Sequence, residues 1–349
     1  MKKVKKSISI TLVLAMLVLT LAGCSGEKVD TSATDRNEDN TASNYSFDLA
    51  IDSPEDTVTY LFGKKFAELV EEKSNGRIKI EVYSNGQLGG DREIAESVQN
   101  GDLAFVVQNT APQVNFVPEV AVFDLPNLFP NADVARKVLD SSFFDQIADK
   151  YEENGIKLLA YADQGFRVMS SNIKVEKIDD FNGQKIRTME NPYHLKYWES
   201  LGANPTPMAF AEVYIGLQQG TIDAQENPYE VIVSSKFYEQ QKYVINTNHL
   251  LHLLSLITSP QIFNDLSVED QQVILDAANE AKVWARGHAD NRVEDRAKII
   301  KENGAKIVEL SDKLKQEMAE RSHLVYDEIE NAVGNELVYS ILKAIEEAQ

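Results

Sequence analysis

The side chains of this sequence that are able to do chemistry are numerous, but they form no catalytic signature. The 349 residues contain no GxSxG, HExxH, Walker or GxGxxG string. Carboxylates are frequent, but in a chain with 55 Asp and Glu residues their pairing is typical of solvated helix faces. His249 and His252 are three residues apart, as two metal ligands on one helix would be, yet structural histidines are the favoured interpretation. We therefore expect no enzyme, no cofactor and no metal site.

The single cysteine, Cys24, suits a different chemistry. Four lysines open the chain, and an uncharged, mostly apolar run covers residues 8–21, which is too short for a comfortable membrane span. The string LAGC at 21–24 then resembles the lipobox of bacterial lipoproteins. This resemblance implies a signal peptide over 1–23 and acylation of the Cys24 thiol, of the palmitate kind. Two or more acyl chains hold a protein stably to a bilayer, so we expect export and anchoring at the outer face of the cell membrane or as a periplasmic lipoprotein.

The charge balance excludes one class of binding partner. With 35 Lys and Arg against 55 Asp and Glu, the formal net charge is −20. Nucleic-acid binding requires basic faces that neutralise phosphates, so that function is excluded. Residues 24–44 are mainly polar and contain no aromatic residue, which predicts a flexible tether between the anchor and a folded region beginning near Tyr45.

Hydrophobic patterning divides that folded region into two parts of the α/β class. Strands are predicted at 47–51, 77–83 and 103–107, separated by a helix that Ser53 caps and by a helix over 91–99. A second series has strands at 156–160, 167–170, 185–188 and 221–225 and helices at 193–201 and 211–217. The order of elements favours a largely parallel sheet in each part.

A pattern starting at Ser267 runs with few breakers to about residue 303, which predicts a helix long enough to span both parts. A strand at 306–310 and two amphipathic helices follow. The expected architecture is therefore a two-lobed, periplasmic-binding-protein-like (Venus flytrap) α/β fold with a long lobe-spanning helix. Lobe I covers 45–164, with about 253–292 returning to it, and lobe II covers 165–252, with about 293–349 returning. Such folds bind a ligand in the cleft between the lobes.

Several strings support a more specific resemblance. They are NGQLGGDREIAESVQNGDLAF at 85–105, VPEVAVFDLPNLF at 117–129, FNGQKIRTMENP at 181–192, LGANPTPMAFAEVYIGLQQGTIDAQENP at 201–228 and KFYEQQKYVINTNH at 236–249. Over about residues 45–349 the chain resembles the DctP-type solute receptors of tripartite ATP-independent periplasmic (TRAP) transporters. The resemblance implies that a small organic acid is the ligand and that integral membrane TRAP permease subunits are the partner.

The same resemblance assigns the binding residues. Arg187 in QKIR matches the arginine that binds the ligand carboxylate, a role that suits the planar, two-donor guanidinium. Arg167 matches a second arginine that reaches the ligand, and Asn227 matches an amide that orients the carboxylate. Three other roles stay open: pairing of Arg187 with Glu190 or Glu226, an internal salt bridge for Arg167, and a turn role for Asn227.

Four further positions are expected at the cleft. Phe210 would form an apolar wall, Asp52 would accept from ligand hydroxyls or amines, Asn109 would add a hydrogen bond, and Glu190 would accept from sugar hydroxyls. Sialic-acid receptors of the family carry an acidic residue and an arginine where this chain has Asn109 and Pro112, so sialic acid is disfavoured.

The string MENPYH at 189–194 looks more like that of receptors for uronates or aldonates. A C4-dicarboxylate remains an alternative, since Arg167 and Arg187 together offer two cations. A receptor of an ATP-driven importer or of a sensor system is the other alternative.

Overall fold

A computed structural model describes residues 44–349, and the predicted signal peptide, the predicted acylation site Cys24 and nearly all of the predicted tether lie outside these residues. Residues 44–349 contain nine strands. These are β1 (Tyr45–Ala50), β2 (Ile78–Tyr83), β3 (Phe105–Asn109), β4 (Lys157–Ser171), β5 (Lys185–Thr188), β6 (Asn204–Pro207), β7 (Ala224–Asn227), β8 (Tyr243–Thr258) and β9 (Lys306–Val308).

Eleven α-helices accompany the strands in the same residues. These are α1 (Val58–Lys73), α2 (Asp91–Asn100), α3 (Ala132–Leu139), α4 (Ser142–Glu153), α5 (Pro192–Ser200), α6 (Val213–Gln219), α7 (Tyr229–Ser234), α8 (Pro260–Asn264), α9 (Val268–Glu302), α10 (Asp312–Val333) and α11 (Asn335–Ala348). Short 3-10 turns lie between them, among them Ala111–Asn115 and Pro118–Asp124. Within the described residues, no helix has both the length and the apolar character needed to cross a bilayer.

The strands form one mixed sheet in the order β2-β1-β3-β8-β4-β7-β5-β6, with β9 beside β8. The parallel pairs β1–β2 and β1–β3 belong to lobe I, and the parallel pairs β5–β6 and β5–β7 belong to lobe II. The two groups are joined through antiparallel pairing of β8 with β3 and β4, and of β4 with β7. The predicted parallel character is therefore correct for β1–β2, β1–β3, β5–β6 and β5–β7, and wrong for β3–β8, β4–β7 and β4–β8, which are antiparallel.

Strands β4 and β8 pass from one lobe to the other. The sequence predicted two strands at 156–160 and 167–170, but β4 is continuous over 15 residues. Its pairing with β8 shifts register between Asp163 and Phe166, where Gly165 has a φ of +90° that favours glycine. The polar string at 163–165 is thus an irregularity within a strand and does not end it.

Helix α9 spans both lobes, as predicted. Ser267 caps it by accepting a hydrogen bond from the backbone N–H of Asp270. Its 35 residues correspond to about 52 Å of helix, and they pack against α1 in lobe I and against α7 and β9 in lobe II. At α1, by contrast, the cap is Thr57 and not Ser53, because residues 53–57 form turns before the helix starts.

The apolar core has three parts. One fills the space between the lobe I strands, α1 and α9, a smaller one lies under α6 and α7, and a large one joins α3, α4, α5, α10 and α11. Trp198 of α5 is fully buried in the large part, 5.1 Å from the ring of His249. Trp284 of α9 is 38% exposed and stacks at 4.7 Å on the ring of His288. The large part contains residues of α3 and α4 in lobe I and of α5, α10 and α11 in lobe II, so the two lobes share this part of the core.

Candidate functional site

Arg187 is a buried arginine that has no acidic partner among residues 44–349. It lies in β5, its side chain is 2% exposed, and its Nε and Nη2 donate to the carbonyl oxygen of Met208 at 2.9 and 2.7 Å. Within residues 44–349 no carboxylate oxygen lies within 4.0 Å of its guanidinium, because Glu226 pairs with Arg167 and Glu190 with Arg92. The alternative that Arg187 pairs with one of these acids is wrong. A buried cation in this state is costly unless an anion completes it.

Burial sets the protonation of this group. Desolvation lowers the pKa of Arg187 to about 10, and the nearby Glu226 carboxylate opposes the decrease. The guanidinium is therefore charged at neutral pH, and its electrostatic attraction acts in a poorly solvated environment.

The guanidinium opens onto a cavity of about 470 Å³ and onto a smaller inner recess of about 30 Å³. Both are lined by residues from the two lobes, and they share Asp52, Asp91, Arg187, Met189 and Phe210. The ring centroid of Phe210 lies 5.9 Å from the guanidinium carbon, so this side chain forms the wall predicted from the sequence and can make a cation–π contact. The size suits a small organic molecule.

A second cavity of about 330 Å³ lies between α9 and the middle of β4 and β8. Its charged side chains already have partners inside the protein: Asp163 and Asp290 bind Arg136, and Glu230 binds Arg296. It offers no unpaired buried cation. The binding site is therefore assigned to the cavity at Arg187.

Asn227 and Asn109 both line the inner recess. Asn227 is the last residue of β7, and its Nδ2 donates to the side chain of Gln225 at 2.7 Å. The amide of Asn109 donates to the carbonyl of Leu253 and accepts from the N–H of Ala111, each at 2.9 Å. These contacts fix its orientation and leave a second N–H and a second lone pair, so its expected hydrogen bond to a ligand stays a prediction.

Arg167 lies in β4, and its guanidinium is bound inside the protein. Its Nε and Nη2 donate to the carboxylate of Glu226, the second at 2.7 Å, and its Nη1 contacts Nδ1 of His252. The side chains of Arg167 and Glu226 are 1% and 0% exposed. The internal salt bridge is thus what the structure contains, and the direct contact of Arg167 with the ligand stays a prediction.

Glu226 is the centre of a larger buried network. It also accepts from Nε2 of His249 at 3.2 Å, and His194 lies 3.9 Å away while binding Asp124 at 2.9 Å. The neighbouring Asp124 and Glu226 raise the pKa of His194 to about 9 against desolvation, while the cations around Glu226 hold its pKa well below the ordinary value. His249 and His252 belong to strand β8, so the helical spacing that suggested a metal pair does not apply.

Glu190 is exposed at the mouth of the cavity. Its carboxylate lies 3.7 Å from Nη1 of Arg92, which belongs to lobe I, and its backbone carbonyl accepts from Nδ2 of Asn115 at 2.9 Å. Glu190 therefore borders the cavity as predicted, and its described contacts cross the cleft at the rim.

Lobe I contributes an acidic wall that the sequence revealed only in part. Asp52 follows β1, as predicted, while Asp91, the first residue of α2, was missed. Desolvation raises the pKa of Asp52 to about 6, partly offset by Arg187. Desolvation and the Asp52 charge raise the pKa of Asp91 to about 8. A signal was present in the string GGDRE, because paired glycines before a helix let backbone and carboxylates approach a cavity closely.

The Asp91 carboxyl makes the stability of the unliganded protein depend on pH. Its pKa rises from 3.8 to about 8 on folding, so the folded state binds more protons between these values. The free energy of unfolding therefore falls as pH rises from about 4 to about 8. We expect Asp91→Asn to remove this loss. The melting temperature of the variant should therefore increase relative to that of the wild type as the pH is raised from 5 to 8.5. Exposed Asp145→Asn is the control, and a difference between Asp91→Asn and wild type that is constant with pH would contradict the assignment.

Comparison with known proteins bears on this geometry. The model of the DctP family, described as bacterial extracellular solute-binding protein family 7, matches residues 49–332. The chain belongs to the DctP family. DctP proteins are solute-binding receptors and not enzymes, and they act outside the cytoplasm.

Three relatives of this DctP chain are informative. The C4-dicarboxylate-binding protein DctB of Bacillus subtilis is 34% identical over 83% of this chain and 83% of its own length. The sugar acid binding protein DctPAm of Advenella mimigardefordensis, solved with galactonate, has a TM-score of 0.85 and 32% identity, covering 88% and 99% of the two chains. A TRAP periplasmic solute binding protein of Polaromonas sp JS666, bound to D-erythronate, has a TM-score of 0.82 and 33% identity over 86% and 98%. The predicted two-lobed fold and the predicted family are both confirmed.

Proposed function

We propose that this DctP-family chain captures the carboxylate of a sugar acid, such as an aldonate or a uronate, between its lobes and delivers the acid to the integral membrane subunits of a TRAP permease. The observation that carries the proposal is the buried guanidinium of Arg187, which faces the cavity and has no acidic partner in the part of the chain that the structure describes. A ligand carboxylate supplies the missing charge and accepts two parallel hydrogen bonds.

The other site residues act around this ion pair. Phe210 covers one face of the guanidinium, and Asn227 lies in the same recess, where an amide can orient a carboxylate oxygen. Arg167 is a positioning residue, because its salt bridge with Glu226 fixes the strand that ends at Asn227.

Delivery requires that the bound form differ from the empty one. Contacts between Glu190 of lobe II and Arg92 and Asn115 of lobe I cross the mouth of the cavity. Opening of the lobes would break these contacts, and closure around the ligand would form them again and present a different surface to the permease. In this proposal the two lobes that close on each other have residues 45–164 and 165–252 as their main segments.

The membrane attachment is part of the proposal. The leader, the LAGC string and the polar tether favour a lipoprotein held to the bilayer through Cys24, with the folded residues free to reach a permease.

A thermal-shift panel tests the ligand class. The purified chain is heated with galactonate, a uronate, succinate and sialic acid, each over a wide range of concentration. A ligand at 100 times its dissociation constant adds about 2.7 kcal/mol to the free energy of unfolding. We expect the aldonate or the uronate to raise the melting temperature most, with sialic acid inactive. The absence of a shift with every organic acid would overturn the proposal, and the largest shift with succinate would replace the sugar acid by a C4-dicarboxylate.

A further inference from the structure

The second cavity, of about 330 Å³, lies where the two long strands pass between the lobes. Strand β4 is irregular at Gly165, which has a φ of +90°, and strand β8 is irregular at Asn248, which has a φ of +44°. The pairing of the two strands shifts register beside both residues. The two irregular segments form one wall of this space, which we call the hinge cavity.

The other walls of the hinge cavity come from both lobes. Val58 of α1 and Ala132 of α3 belong to lobe I, and Tyr229 of α7 belongs to lobe II. Val293 of the lobe-spanning helix α9 also lines the cavity and is 48% exposed. A movement of one lobe against the other therefore changes the distances between these walls.

The hinge cavity is separate from the cavity at Arg187, with which it shares no lining residue. Phe166 and Val168 of β4 line the hinge cavity, whereas Arg167 between them binds Glu226. Successive side chains of a strand point to opposite faces of the sheet. A molecule in one cavity therefore leaves the other free.

One buried side chain in the wall of the hinge cavity has no partner. Gln164 is 4% exposed, and within residues 44–349 neither the oxygen nor the nitrogen of its amide has a hydrogen-bond partner. An unpaired buried amide is costly, and such groups are rare in native proteins. A bound molecule that carries both a donor and an acceptor would satisfy this amide.

The charged side chains around the hinge cavity exclude a charged occupant. Asp163 and Asp290 bind Arg136, and Glu230 binds Arg296. An additional ion would have to break these pairs or lie beside them without a counter-charge, which is costly where groups are buried. Much of the remaining wall is apolar. The chemistry therefore fits a small uncharged molecule that has an apolar body and an amide-like group.

Occupation of the hinge cavity would affect the opening of the lobes. The form of the protein described here has contacts across the mouth of the other cavity, from Glu190 to Arg92 and Asn115. A molecule that fits the hinge cavity in this form stabilises the form, because lobe movement would change the walls around it. An acid held between the lobes favours the same form. Two ligands that favour one form raise each other's affinity by the same factor.

We propose that the hinge cavity is a second binding site, which takes a small uncharged molecule with an apolar body and an amide-like group and thereby favours closure of the lobes. The residues that form this site lie outside the cavity at Arg187. The coupling of the two sites rests on the proposed function, since it requires that closure of the lobes captures the acid.

Benzamide serves as the probe of the hinge cavity, because it combines an apolar ring with one amide. Its binding to the purified chain is measured by ligand-observed NMR, together with that of benzylamine, which has a similar shape and is a cation at pH 7. For a molecule of this size we expect a dissociation constant on the order of 1 mM, and about tenfold weaker binding of benzylamine. No saturable binding of benzamide, or equal or tighter binding of benzylamine, would overturn the inference.

Three variants locate the binding of benzamide. Val293→Trp places a large side chain at a partly exposed position of the cavity wall and should remove the binding. Val268→Trp, at a position of the same helix that is 84% exposed, is the matched control and should leave it unchanged. Gln164→Leu lacks the amide and should weaken the binding by about threefold to tenfold. Melting temperatures verify that each variant is folded, and unchanged binding in Val293→Trp would overturn the site.

Calorimetry measures the coupling between the two sites. The dissociation constant of galactonate is determined with and without saturating benzamide. We expect benzamide to increase the affinity for galactonate by about fivefold or more in the wild type, and to have no effect in Val293→Trp. Galactonate should increase the affinity for benzamide by the same factor. Equal affinity for galactonate in both conditions would overturn the coupling.

Failure of the proposed function gives a different result. If no organic acid binds, but benzamide binds to the wild type and not to Val293→Trp, the capture of an acid and its coupling are wrong and the second site is retained. If galactonate binds and benzamide does not, only the second site is wrong.

Discussion

Arg187→Ala should weaken binding of the organic acid strongly, without destabilising the empty protein as a core truncation would. Removing one partner of a buried, hydrogen-bonded ion pair costs about 2–5 kcal/mol, which corresponds to a loss of affinity of roughly thirtyfold to several thousandfold. The empty protein loses two hydrogen bonds to the carbonyl of Met208 but also loses an unpaired buried charge. These two changes in the unliganded state therefore oppose each other.

Two further variants sharpen this result. Arg187→Lys keeps the charge but loses the planar fork, so it should bind more weakly than wild type and better than Arg187→Ala. Arg321→Ala removes the same charge from the exposed side of α10 and should bind normally. Calorimetry gives the affinities, and denaturant titration gives the stability of each empty protein. Full affinity in Arg187→Ala would show that the ligand binds elsewhere.

Glu226→Gln should be among the most destabilising single substitutions in this protein. The carboxylate is fully buried and serves Arg167 and His249 directly, with His194 nearby. The amide would keep the volume of the side chain but leave the buried guanidinium without its counter-charge. Breaking a buried ion pair in this way costs about 3–5 kcal/mol, a large part of the stability of a typical domain.

The surface pair of Lys196 and Glu328 provides the matched control. Its atoms are 2.8 Å apart, but the side chains are 37% and 44% exposed, so Glu328→Gln should cost less than about 1 kcal/mol. Urea titrations of both variants at pH 7 measure the free energies of unfolding. Equal, small losses would mean that the Glu226 network contributes little to stability.

The parts of the fold that the sequence predicted are those with strong local patterns. Helix α9 has a capping Ser267 and a long run without breakers, so it was located closely. Strand β8 was missed although it is central to the sheet, because its apolar run at 250–257 has neither alternation nor turn residues to distinguish it. The parallel sheet predicted from element order was wrong where this strand joins the lobes.

The candidate site was predicted only in part, because some of its residues lie in recognisable strings whereas others meet only in the folded chain. Arg187 and Phe210 lie in strings that resemble the DctP family, and both line the cavity. Sequence could not decide the partner of Arg167, because Glu226 is 59 residues away and meets it only through the pairing of β4 with β7. Asp91 resembles an ordinary acidic residue in the first turn of a helix, and only the folded loop before it places it at the cavity.

The two tryptophans described above have a consequence for optical measurements. Trp198 is fully buried and packs against His249, whose ring binds Glu226. Trp284 is partly exposed on α9, where it stacks on His288. The first should emit at short wavelength and resist aqueous quenchers, and the second should emit at longer wavelength and be quenched. The unlabelled protein thus contains two fluorophores whose emission can be separated. One is sensitive to the interior of lobe II, and the other is sensitive to the exposed face of α9, the longest helix of the protein's described residues.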